Sequence, residues 1–107
     1  MAQIPENILG VIQKYINEVS KEIIIDKVII FGSYTQNLYN KDSDIDLAIF
    51  SRVFTDNSKI KNMSFLMSKT SGLGIDLQPQ AFTMEDYENP EGFIKEIVNT
   101  GIEIQVA

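Results

Sequence analysis

The stretch that most constrains this chain runs from residue 28 to residue 50. It opens with four consecutive apolar residues, Val28-Ile29-Ile30-Phe31, and breaks at once on Gly32-Ser33. A second apolar run follows after a turn-like spacer, Asn40-Lys41-Asp42-Ser43. In that run Ile45, Leu47 and Ile49 alternate with Asp44, Asp46, Ala48 and Phe50. The first run predicts a strand covered on both faces. The second predicts a strand with one apolar face and one face that starts acidic and ends in Ala and Phe. Residues i and i+2 of a strand point to the same side. Asp44 and Asp46 are therefore expected side by side, roughly 6–7 Å apart at Cα. Between the strands, residues 33–39 suit one or two helical turns.

Paired carboxylates of this kind suit hard cations such as magnesium, which take oxygen ligands and leave room for substrate phosphates. A helix N-terminus just after Gly32 would turn free N–H groups toward a phosphate. An EF-hand is excluded despite Asp42, Asp44 and Asp46. Its glycine position is Leu47, and its closing glutamate position is Val53. A P-loop is excluded because no Gly-Lys-Ser/Thr follows Gly32. A solvated strand end with two unrelated aspartates is the plain alternative.

Composition narrows the chemistry further. The 107 residues hold no cysteine and no histidine, so neither thiolate nor imidazole can bind metal or move a proton. Acid–base work must fall to carboxylates, Tyr, Lys or metal-bound water. Nine Lys+Arg stand against fifteen Asp+Glu, a net charge of −6, which argues against a nucleic-acid partner. The imbalance is sharpest between Asp76 and Glu103, with seven acids and only Lys95. With 44% hydrophobic and 22% charged residues the chain reads as one globular domain over 1–107. It shows neither a signal peptide nor an apolar run near the ~20 residues of a membrane span. A cytoplasmic location is the expectation.

Taken in order, 5–23 predicts a helix, with Ile8, Ile12, Tyr15, Ile16, Val19 and Ile23 on one face. A second helix is expected through about Lys69, its apolar face made by Ile60, Met63, Phe65, Leu66 and Met67. Residues 73–78 predict a strand stopped by Pro79. Thr83 with Asp86 resembles a capping box. Asn89-Pro90 should open a last helix with Phe93, Ile94, Ile97 and Val98 inward and Gly101 as its stop. Ile102, Ile104 and Val106 then alternate as a closing strand. Alternating helices and strands argue for an α/β or α+β sheet covered by helices.

The Gly-Ser pair, short helix and Asp-x-Asp strand resemble the signature of the DNA polymerase beta-like nucleotidyltransferase superfamily. The closest likeness is to its minimal stand-alone members, often found beside a HEPN-domain partner. The resemblance covers most of the chain and adds Asp76, in Gly74-Ile75-Asp76-Leu77, as a third acidic residue. It implies a small mixed sheet with Asp44, Asp46 and Asp76 converging. It implies that Gly32 and Ser33 hold nucleotide phosphates, and that the three aspartates hold two magnesium ions, or manganese. Asp76 would also help deprotonate the acceptor. The implied reaction moves a nucleoside monophosphate, AMP from ATP, to a hydroxyl, such as a tyrosine of a HEPN-type toxin. This chain would then be the antitoxin. A small-molecule acceptor such as an aminoglycoside is a further option. The Arg-Gly pair common in active relatives reads Gln36-Asn37 here, and Lys41 is a candidate stand-in for the arginine. That departure leaves a second expectation open, a nucleotide- or partner-binding module with weak or no catalysis.

Overall fold

The computed structural model describes residues 4–32 and 44–106. The expected short helix at 33–39, with Ser33, Gln36, Asn37 and Lys41, lies outside the described residues.

Helix α1 spans Glu6–Ser20 and starts on Pro5, whose carbonyl accepts from the N–H groups of Ile8 and Leu9 at 3.0 Å each. Its predicted stripe buries Ile12, Tyr15, Ile16 and Val19. Strand β1 follows at Lys27–Phe31 and β2 at Ile45–Ser51. A single 3-10 turn at Asp56–Ser58 leads into α2, Lys59–Ser68. Strand β3 is Leu77–Thr83. Two helices come next, α3 at Met84–Glu88 and α4 at Gly92–Thr100, then β4 at Ile102–Ile104.

The sheet order is β3-β2-β1-β4. β1 pairs antiparallel with both β2 and β4, and β2 pairs parallel with β3. One face carries Val28, Ile30, Ile45, Leu47, Ile49, Leu77 and Ala81 beneath α1 and Leu66 of α2. The Tyr15 hydroxyl, inside this layer, donates to the Leu66 carbonyl at 2.8 Å and ties α1 to α2. Burial pushes its phenol well above the ordinary value. The other face is smaller. Ile29, Phe31, Ala48, Phe50 and Phe82 pack there beneath Ile97 of α4, with Met84 and Tyr87 of α3 at the margin. Strand parity puts Asp46 and Gln78, paired with each other across β2 and β3, on this second face.

Three expectations change. Pro79 does not stop the third strand; it lies inside β3. β3 is an edge strand, and the alternation of N–H directions sends residues 77, 79 and 81 away from β2. The missing N–H of Pro79 is therefore never needed. The Ala81 N–H, on the same outer edge, donates to the Met63 sulfur at 3.1 Å. Phe93 is not inward but 57% exposed. β1 ends at Phe31, so the sheet runs out under the first turn of α4, and Phe93 reaches only the Phe31 ring, edge to face at 5.6 Å. The apolar face of α2 is narrower than expected. Leu66 is buried and Met63 and Phe65 are half-buried, while Ile60 and Met67 are exposed.

Two signals read from sequence hold. Thr83 and Asp86 make a reciprocal capping box at the start of α3, with bonds of 3.0 and 3.1 Å. Gly101 ends α4, though not through a left-handed backbone, since its φ is −74°. It is needed for room. A Cβ there would strike the Ile29 side chain and the Ile97 and Ile30 carbonyls.

Candidate active site

The parallel pairing of β2 and β3 brings two loop ends together. The first ladder pair is Ile45 with Leu77, so the preceding residues, Asp44 and Asp76, face each other just outside the sheet. The backbone fixes this approach, because the Ile45 N–H donates to the Asp76 carbonyl at 2.8 Å. The two carboxyls are close enough for each to perturb the other's titration. Both are exposed, and Asp76 lies ahead of its strand instead of within it.

Asp46 sits one step inside the sheet and is half-buried. It pairs with Phe31 on one side and Gln78 on the other. Its carboxylate lies against Gly32, whose backbone is left-handed at φ 82°. A Cβ on Gly32 would collide with an Asp46 carboxylate oxygen. The left-handed backbone favours glycine at 32, and any Cβ there would also make the Asp46 carboxylate move.

Electrostatics mark the cluster as strained. Asp44 is raised above the usual carboxylate range, first by its hydrogen bond to Asp76, then by the charges of Asp76 and Asp46. Asp46 is raised by burial and then by the Asp76 charge. Asp76 is lowered, because it accepts from Asp44 and from Gln78. Asp44 and Asp76 move in opposite directions because each perturbs the other, so their titration belongs to the pair. No lysine or arginine pairs with any of the three among the described residues.

Gln78 was not singled out from the sequence. Its side-chain amide donates to Asp76 Oδ1 at 2.6 Å. It stands in register with Asp46, between two of the acids, and fixes the direction of the Asp76 carboxylate. A polar residue two positions after Asp76 was the available signal. Strand parity alone puts it on the Asp76 side, but parity does not say that its amide reaches the carboxylate.

Residues 12–104 match the family described as the nucleotidyltransferase domain. The chain belongs to that family. The fold of this nucleotidyltransferase domain is similar to the crystal structure of a Sulfolobus solfataricus protein assigned as a nucleotidyltransferase. That likeness has a TM-score of 0.68 and 16% identity, over 96% of this chain and 89% of that one. The domain is also similar to a chain in the crystal structure of a toxin–antitoxin with AMP-PNP. There the TM-score is 0.55 and the identity 18%, over 89% of this chain and 73% of that one. No curated protein matches the chain by sequence.

The donor set is all carboxylate oxygen, the kind that suits hard cations such as magnesium or manganese. Among the described residues no three acidic side chains close into a ready cage for one ion. Magnesium is usually held by one or two carboxylates, with substrate phosphates and water completing the shell. Asp44 with Asp76, and Asp46 one residue inward, provide carboxylates for that arrangement. No described helix is long and apolar enough to cross a membrane.

Proposed function

We propose that this nucleotidyltransferase domain moves AMP from ATP to a hydroxyl group, with Asp44, Asp46 and Asp76 as the metal-holding and catalytic residues. One observation carries the reading. Three aspartates with no cationic partner among the described residues gather at the open end of β2 and β3, one of them against the left-handed Gly32. Like charges gathered this way, two exposed and one half-buried, are a cost to the fold, and a divalent cation with a triphosphate would relieve it.

The acceptor oxygen attacks the α-phosphorus, a new P–O bond forms, and the bond to the β-phosphate oxygen breaks, releasing pyrophosphate. In this reading Asp76 takes the hydroxyl proton, and the Gln78 amide bond to its carboxylate supports that role. Asp44 and Asp46 hold the opposite side of the site, and Gly32 with Ser33 receives phosphate oxygens. What a hard divalent cation supplies when bound is neutralisation of the phosphate charge and polarisation of the reacting oxygens. Transfers of this kind depend chiefly on positioning and charge neutralisation.

The acceptor is a protein hydroxyl, a tyrosine of a HEPN-type toxin, and the chain acts as that toxin's antitoxin. The family match and the likeness to a toxin–antitoxin chain support this. Gln36-Asn37, where active relatives commonly carry Arg-Gly, supports the competing reading of a binding module with little catalysis.

The test is transfer of α-phosphate label from ATP, with magnesium, to the product of the neighbouring gene. Wild type should label it and release pyrophosphate. Asp76→Asn should suppress transfer by about 10²–10⁴-fold, as loss of a general base does, while ATP binding falls less. Tight ATP binding with the partner left unlabelled would favour the module.

A further inference from the structure

Phe93 is an anomaly on an otherwise apolar-inward helix. The rest of the α4 stripe, Ile94, Ile97 and Val98, packs on the sheet. Phe93 keeps 57% of its surface open. It is nonetheless held, because its ring meets Phe31 edge to face, with centroids 5.6 Å apart and planes at 79°. The Phe31 contact holds the ring while more than half of the residue's surface stays open.

Its location gives the exposure a meaning. Phe31 is the ladder partner of Asp46 and shares its face of the sheet. Gly32, the next residue, touches the Asp46 carboxylate. Phe93 therefore stands one ring and one strand spacing from the acid cluster, on the α4 side, opposite Asp76 and Gln78 on the β3 side. A nucleoside triphosphate whose phosphates lie at Asp44, Asp46 and Gly32 must send its base away from them. On the β3 side it would meet the Asp76 carboxylate and its partner Gln78, which offer a base no ring to stack on. On the α4 side it meets an open aromatic ring.

We propose that Phe93 is the base-stacking platform of the nucleotide site, and that it favours purine over pyrimidine triphosphates. The inference rests on the nucleotide reading of the acid cluster. Stacking on an aromatic ring tolerates any base but grows with the area of the base. Phe93 offers no hydrogen bond, so it distinguishes bases by size and not by edge.

The experiment compares calorimetric affinities of magnesium-ATP, magnesium-CTP and magnesium-tripolyphosphate for wild type, Phe93→Ala, Phe93→Leu and Phe93→Tyr. Phe93 is mostly exposed, so these variants should fold, and unchanged melting would confirm it. Phe93→Ala should weaken ATP by about ten- to a hundredfold, weaken CTP less, and leave tripolyphosphate unchanged. Phe93→Tyr should restore ATP binding and Phe93→Leu should not. Equal ATP affinity in wild type and Phe93→Ala, with tripolyphosphate still bound, would overturn the platform while keeping the phosphate site. Equal losses for ATP and tripolyphosphate would also overturn it, since the ring would then act through the phosphates. If wild type binds no tripolyphosphate, the reading of the acid cluster fails and takes the platform with it.

Discussion

The two ends of strand β2 handle charge in opposite ways. At its C-terminal end Asp26 meets Arg52. The carboxylate accepts from the Arg52 backbone N–H at 2.8 Å and from its guanidinium at 2.7 Å. Beside it, the buried Ser51 hydroxyl donates to the Ile24 carbonyl at 2.5 Å and accepts from the Val53 N–H at 3.1 Å. Asp26 is accordingly held below the usual carboxylate range, first by the Arg52 hydrogen bond. At the N-terminal end, two of the three acids are pushed upward and none has a cation among the described residues. One strand thus carries a charge that stabilises the fold at one end and charges that burden it at the other. These charges beside the left-handed Gly32 support the proposal of a charged ligand at this end.

The largest effect on this contrast should come from Gly32→Ala. The left-handed backbone alone costs an alanine about 1–2 kcal/mol, and the new Cβ must displace the Asp46 carboxylate. Chemical denaturation should report a loss of at least that size, and nucleotide transfer should fall with it. Unchanged stability and transfer would mean that Asp46 and Gly32 are not in contact.

A smaller effect is expected from Asp26→Asn at the satisfied end, about 0.5–1 kcal/mol after allowing for the exposure of Arg52. Its sign with pH is fixed. A carboxyl lowered in the folded state contributes fully above its unfolded pKa near 3.9, and that contribution disappears as pH falls through the lowered folded value. The variant should therefore differ from wild type at neutral pH and converge with it in strong acid. A difference that persists at the lowest pH would assign the effect to packing.

The smallest effect, and the opposite sign, belongs to Asp44→Asn without metal. A carboxyl raised in the folded state costs stability at neutral pH, and the cost fades as pH falls through the raised value. The variant should melt slightly above wild type at neutral pH and match it in acid. A lower melting point at neutral pH would show that Asp44 has a stabilising partner.

Much of this was readable from residue patterns. The stripe of α1, the continuous run of β1 and the alternation in β2 each set a period that only one element satisfies. Thr83 and Asp86 marked the start of α3, and the Asp44–Asp46 pair marked the candidate site. What escaped depended on the neighbours of an element. Pro79 looked like a strand stop, because edge position and N–H direction belong to the sheet and not to the residue. Gln78 was visible two residues after Asp76, but its amide bond to that carboxylate is a side-chain choice that spacing does not reveal. Phe93 fitted an inward position by helical spacing, but spacing does not say where the sheet beneath ends. The facing of Asp44 and Asp76 needs β2 and β3 to run parallel, a direction that alternation of elements leaves open.

The most direct test of the central claim is the melting temperature of wild type and of the Asp44→Asn, Asp46→Asn double variant, each with and without magnesium-ATP. Wild type should be stabilised, by about 2.7 kcal/mol when the ligand stands at 100 times its dissociation constant. The double variant should melt no lower than wild type without ligand and should not respond to it. An equal shift in both proteins, or no shift in wild type, would contradict the claim that these aspartates are the nucleotide site.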